Sequence, residues 1–170
     1  MSVVYDTGLV VGLGLMGGSV AKALFEKGVC GRLEAWEIDP VCRVQAEHIQ
    51  AIDRVFGQPE DLTGPYGLIV IAVPVRATAP VLQAVLPFLD SKGLCVDTGS
   101  TKGHLSSFLA TSACGRNRVV GCHPLAGAER SGWSSSTGAL FTGESHCVSR
   151  SGYRCGCRES GRGCVATPRR

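Results

Sequence analysis

Apolar residues in this chain come in short unbroken runs, separated by segments in which they recur every three or four positions. Residues 7–12 (Thr-Gly-Leu-Val-Val-Gly) form such a run and predict a strand buried on both faces. Residues 19–26 follow with Val20, Ala23 and Leu24 at helical spacing, and Gly28 as a stop. The pattern then predicts a strand at 32–38, a helix at 40–50 and a strand at 67–73 closed by Pro74. A helix at 77–89 tolerates Pro80 in its first turn. A strand at 94–97, a helix at 102–113 and a last strand at 118–122 complete the series.

Strand and helix alternate, as βαβ units require, so the fold class is α/β with a doubly wound parallel sheet and right-handed crossovers. Ligands of such sheets gather at the carboxyl ends of the strands. The polar and glycine-rich segments obey that rule: residues 12–17, Glu37, Val73-Pro74, residues 97–100 and His123 all come at or after predicted strand ends.

Beyond Phe141 the pattern stops. Residues 142–170 contain no Leu, Ile, Met, Phe or Trp and show neither a period of 2 nor one of 3.6. Such a segment buries too little apolar surface to offset its ordering entropy, so disorder is expected there. Residues 1–141 are expected to form one domain.

Composition refines this picture in two places. The net charge of +3 comes from the tail, whose six Arg against Glu144 and Glu159 leave about −1 on residues 1–141. No basic face for nucleic acid is implied. Nine cysteines could form a disulfide framework, but the chain opens with no secretory pattern, and Cys30, Cys42, Cys95, Cys114 and Cys122 are scattered singly. That usage points to the cytoplasm, and no apolar stretch is long enough to span a membrane. In the tail, His146, Cys147, Cys155, Cys157 and Cys164 have poor spacing for zinc, so no metal is expected.

The chemistry begins with Gly12-Leu13-Gly14-Leu15-Met16-Gly17, a G-x-G-x-x-G string between a predicted strand and a predicted helix. Its glycines suit a tight turn, close approach of a pyrophosphate, and close packing of helix on strand. Glu37, twenty positions past Gly17, is placed to accept from ribose hydroxyls. A carboxylate there repels a 2′-phosphate and the neighbouring Ile38 offers no cation, so NAD is preferred over NADP. Asp39 is the alternative bearer of this role. Val73 and Pro74 complete the cofactor set.

Ser100, in Asp97-Thr-Gly-Ser-Thr-Lys-Gly103, either orients a substrate hydroxyl or the catalytic His, or N-caps the following helix. His123 stands in the Gly/Pro/Ala-rich string Gly121-Cys-His-Pro-Leu-Ala-Gly-Ala-Glu-Arg-Ser-Gly132, where an imidazole near neutrality is suited to accept a proton.

These three strings together resemble the nucleotide-binding domain of the prephenate/arogenate dehydrogenases, over residues 7–141. The resemblance implies an NAD(P)-binding Rossmann fold and an NAD-dependent oxidative decarboxylation of prephenate to 4-hydroxyphenylpyruvate, in tyrosine biosynthesis. Arogenate or a cyclohexadienyl substrate stands as the alternative. It further implies that His123 is the catalytic base for the ring hydroxyl, that Ser100 serves catalysis and substrate binding, and that Glu129 binds substrate.

Family members continue past the match at 139–141 into more sheet and a helical dimerisation domain that supplies a substrate-binding Arg. Nothing in residues 142–170 corresponds to it, and this tail resembles an out-of-frame reading of a GC-rich gene. The expectation is therefore a truncated chain lacking the helical domain of the family's homodimers, an inactive NAD-binding fragment being the second reading.

Overall fold

Side chains at residues 9–11 and 68–71 alternate between two apolar layers. Leu9, Val11, Ile69 and Ile71 join one cluster with Trp36, Phe56, Leu82 and Val85. Val10, Leu68 and Val70 join the other with Leu33, Ala35, Ala21 and Ala46. A strand whose two faces are both covered must be apolar at odd and even positions alike, which is why these runs are unbroken.

In the computed structural model, residues 3–100, 105, 118–124 and 132–142 are described, along with the backbone of 146–150, 153–154 and 167–168. The elements are β1 (Tyr5–Val11), α1 (Leu15–Glu26), β2 (Cys30–Trp36), α2 (Pro40–Glu47), β3 (Arg54–Phe56), β4 (Tyr66–Ile71), α3 (Thr78–Val85), β5 (Leu89–Asp97), β6 (Val119–Pro124) and β7 (His146–Arg150), with short strands β8 (Tyr153–Arg154) and β9 (Thr167–Pro168) pairing apart. The main sheet runs β3-β2-β1-β4-β5-β6-β7. Its first six strands are parallel, in the order of a dinucleotide-binding sheet. The doubly wound α/β architecture is thus the one the sequence predicts. No helix among the described residues is long and apolar enough to cross a membrane.

Element boundaries differ where local chemistry overrides periodicity. α1 starts at Leu15, four residues before the predicted start, so Leu15, Met16 and Gly17 belong to its first turn. α3 stops at Val85 because Pro87, which cannot donate, follows in a 3-10 turn at Leu86–Phe88. β3, of three residues, is too short for a periodic signal. The helix expected at 102–113 lies outside the described residues except for Leu105, which is helical and buried.

The largest departure is β7. His146–Arg150 pairs antiparallel with β6, matching His123 to Cys147 and Pro124 to His146. The stretch lies in the segment for which disorder is expected from Thr142 onward. A ladder is made of backbone groups, and the open edge of β6 offers them without requiring aliphatic side chains. The same pairing carries β6 on to Pro124, so His123 sits inside a strand and not in the loop after it.

Between β6 and β7 the chain crosses back over α1. Lys22 Nζ donates to the Ser136 carbonyl and hydroxyl oxygens at 2.9 and 2.8 Å and lies 4.6 Å from the centre of the Trp133 ring. Ser19 Oγ accepts from Thr137 N at 3.0 Å. Burial lowers the Lys22 pKa, an effect partly offset by Glu26.

One buried polar cluster interrupts the apolar layers. Glu34, almost fully buried on β2, accepts from Tyr66 and Thr63 hydroxyls and pairs with Arg32. Burial, then the hydrogen bond to Glu34, raises the Tyr66 pKa above its ordinary 10.0.

Two outcomes follow. Tyr66→Phe strips a donor from a buried carboxylate and is expected to lower unfolding stability by about 1–3 kcal/mol, read from urea melts. Because folding raises the Tyr66 pKa, its contribution is full below pH 10 and is lost as pH rises through the folded-state pKa. The phenylalanine variant should therefore show a flatter stability profile above pH 10.

Gly17→Ala is the harsher change. Its Cβ would stand 1.8 Å from the Gly12 carbonyl oxygen, which forces α1 off β1. A loss of about 3 kcal/mol or more is expected from such overpacking, and an unchanged urea midpoint would refute the close contact.

Candidate functional site

The hydrogen-bonded register aligns the ends of β1 to β5 in one row, which β6 crosses on its way to Pro124. Phe56, Trp36, Val11, Ile71, Asp97 and Gly121 are successive partners across the six parallel strands. The next step is also locked: Glu37 N donates to Phe56 O, Gly12 N to Trp36 O, Ala72 N to Val11 O and Thr98 N to Ile71 O. Gly12, Glu37, Val73, Ser100 and His123 thus all lie one to three residues past a common line.

At the reversal of strand order, between β1 and β4, a cleft of about 240 Å³ opens. Gly12, Gly14, Glu37, Val73 and Pro74 line it, with Trp36, Ile38, Ala77 and Val81 supplying an apolar wall. Gly12 holds φ +83°, and a Cβ there would meet the Ala72 carbonyl oxygen at 2.7 Å. At Gly14 an added Cβ would meet nothing within 4 Å, so the turn faces open space.

Gly14 is also the N-cap of α1, and no side chain caps this helix or places an acid in its first turn. Uncapped N–H groups and the helix dipole leave that end ready for an anion. Leu15 and Met16 open the first turn of α1, and neither lines the cleft. Leu13 and Gly17 do not line the cleft. Leu13 is fully buried in the second apolar layer, and Gly17 packs against Gly12.

Glu37 is anchored by two backbone donors. Its Oε2 accepts from Leu13 N at 2.6 Å and its Oε1 from Asp39 N at 2.9 Å. An ionised carboxylate has about four acceptor positions, so two of them remain for a ligand. Asp39 is committed elsewhere, its Oδ1 capping α2 through Val41 N at 2.9 Å. Burial, and after it the charges of Glu37 and Asp39, pushes the pKa of the neighbouring Cys42 thiol up to about 11. That neutral thiol donates to the Leu13 carbonyl at 3.4 Å.

The sequence places no cation beside Glu37, but the fold does. Arg43, six positions on, donates through Nη1 to the Glu37 and Ile38 carbonyl oxygens. Neither Arg43 nor the apolar wall residue Trp36 was legible as a site residue, because contact across a turn leaves no periodic trace.

Ser100 is exposed just beyond β5. His123 is half-buried in β6, and its Nδ1 is enclosed without a hydrogen-bond partner among the described residues. Their strands are adjacent and their register partners Asp97 and Gly121 face each other, so both emerge at the same edge of the sheet. Neither lines the cleft. Glu129 lies outside the described residues, and among those residues no group of His, Cys, Asp and Glu is arranged to hold a metal.

Comparison with known proteins converges on one family. The model of the prephenate dehydrogenase nucleotide-binding domain matches residues 20–151. A cyclohexadienyl dehydrogenase of Zymomonas mobilis is 31% identical over 134 residues, covering 78% of this chain and 45% of that protein. A prephenate dehydrogenase of Bacillus subtilis is 31% identical over 147 residues, covering 83% and 38%. The crystal structure of prephenate dehydrogenase from A. aeolicus with hydroxyphenyl propionate and NAD+ superposes with a TM-score of 0.76 at 30% identity, over 87% of this chain and 51% of that one. The chain spans about half the length of these relatives or less. By its strand order, its glycine turn and this match, the chain belongs to the prephenate dehydrogenase nucleotide-binding domain family.

Proposed function

We propose that this chain binds NAD and serves as the cofactor-holding part of an NAD-dependent prephenate dehydrogenase. The observation that carries the reading is the cleft at the β1/β4 reversal, where Gly12, Gly14 and a doubly anchored Glu37 meet. The uncapped α1 terminus takes the pyrophosphate, with Leu15 and Met16 contributing first-turn N–H groups. Gly17 acts one step back, by letting α1 sit close enough to β1. Glu37 accepts from the ribose hydroxyls, and Ile38, Val73, Pro74, Ala77 and Val81 pack around the adenine. The free thiols Cys30, Cys42 and Cys95 fit a reducing compartment, which we take to be the cytoplasm.

A bound NAD would supply the acceptor for the hydride on the substrate ring carbon that bears the hydroxyl. His123 accepts the hydroxyl proton, and Ser100, on the neighbouring strand end, orients that hydroxyl. Glu129, which follows β6 in the sequence, contacts substrate. Loss of the ring carboxylate as CO2 leaves its bonding electrons in the ring, which becomes aromatic, so the chain has only to align the ring, draw off the hydroxyl proton and return it to the phenolate oxygen of the product. The Zymomonas relative, named a cyclohexadienyl dehydrogenase, supports arogenate as a second substrate to be tested beside prephenate.

Fluorescence titration of the chain should give a lower Kd for NAD than for NADP, because the Glu37 carboxylate repels a 2′-phosphate. Equal or tighter NADP binding would refute this assignment. In a form of the protein that turns over prephenate, His123→Asn should reduce kcat by about 10²–10⁴ while leaving NAD affinity nearly unchanged. A matching loss of cofactor affinity would make His123 a structural residue instead.

A further inference from the structure

The turn between β2 and α2 holds a charged group that the reading above does not use. Arg43 Nη1 donates to the carbonyl oxygens of Glu37 and Ile38 at 3.0 and 2.8 Å. The guanidinium rests beside Gly57, where an added Cβ would stand 3.3 Å from Cζ, so a residue without a side chain gives the planar group its berth. Glu37 and Asp39 are close by, yet among the described residues neither forms an ion pair with Arg43. Both carboxylates are held by backbone N–H groups, and Arg43 is held by backbone carbonyls. A cation and an anion thus share one turn, each fixed by peptide dipoles and not by the other. Of the five guanidinium N–H donors, those on Nε and Nη2 have no partner among the described residues.

Such a group suits a phosphate dianion, since its fork matches two phosphate oxygens. We propose that Arg43 is a second determinant of cofactor choice, a guanidinium bound to the backbone of Glu37 and Ile38, which line the cleft, and kept by the Glu37 carboxylate from engaging a 2′-phosphorylated dinucleotide. With the carboxylate in place, a 2′-phosphate meets a negative charge on the side chain of the residue whose carbonyl holds Arg43. Removing that charge leaves Asp39 and Arg43 in balance on a turn that was net negative, without moving the arginine. In the natural chain Arg43 instead fixes the two carbonyls that shape the turn, and so helps to present Glu37. The proposal rests on the dinucleotide reading of the cleft.

Binding of NAD and NADP to the full chain and to three variants tests it. Glu37→Ser should weaken NAD binding and tighten NADP binding by about 10- to 100-fold, the worth of one or two charge-assisted hydrogen bonds. Adding Arg43→Ala to that variant should abolish the gain, whereas adding Arg43→Lys should keep part of it, because the charge remains and the fork is lost. If the double variant with alanine binds NADP as tightly as Glu37→Ser does, Arg43 has no such role. If the lysine variant loses as much as the alanine one, the effect is on the shape of the turn and the proposal is overturned. Failure of Glu37→Ser to gain NADP affinity while the natural chain still binds NAD also overturns it, and leaves the dinucleotide reading standing. Failure of the natural chain to bind either cofactor removes both.

Discussion

Between β1 and α1 the chain reverses within three residues, and the reversal is possible only because two backbones touch. The carbonyl of Gly12 occupies the space where any side chain at Gly17 would begin. The first turn of α1 is thereby pressed onto the end of β1, its uncapped N–H groups brought to the mouth of the cleft. Everything else at this end of the sheet is arranged around that contact. Leu13, at the apex, turns its side chain into the core and its N–H to Glu37. The acid at the end of β2 is thus tied to the glycine turn itself, and a shift of α1 would be felt at both ends of a bound dinucleotide.

The parallel register extends this local constraint across the molecule. Because five parallel strands end on one hydrogen-bonded row and β6 crosses it, residues far apart in sequence reach the same edge with little freedom along the strand direction. A register slip of one residue would invert the faces of a strand and exchange its contributions to the two apolar layers. The layers are therefore what hold Glu37, Val73, Ser100 and His123 level. The buried Glu34 cluster adds specificity to the same alignment, since its carboxylate is satisfied only when Tyr66 and Thr63 stand opposite it.

Much of this was legible in the sequence because the governing signals are local. Unbroken runs such as residues 67–73 announce doubly covered strands, and G-x-G-x-x-G announces a turn whose geometry needs no distant information. The signals failed where partners come from elsewhere. β7 contains no apolar run, and its pairing is decided by the open edge of β6. His123 looks like a loop residue until that pairing draws it into a strand. Arg43 looks like one more polar position on a short helix, and only the fold of the turn brings it to the carbonyls of Glu37 and Ile38. Glu37 and Asp39 likewise part company only in the fold, where Glu37 lines the cleft and Asp39 caps α2.

The return of the chain over α1 bears on how this unit could be reused. Lys22 and Ser19 lie on the helix that follows the glycine turn, but their partners, Ser136, Trp133 and Thr137, lie more than a hundred residues later. The β1–α1–β2 segment is therefore not a portable cassette. A graft of a β1–α1–β2 unit from another dinucleotide-binding protein would keep the phosphate turn and still leave the 132–137 segment without its ammonium and hydroxyl anchors. Exchange between relatives should succeed only when the helix and its distant strap travel together.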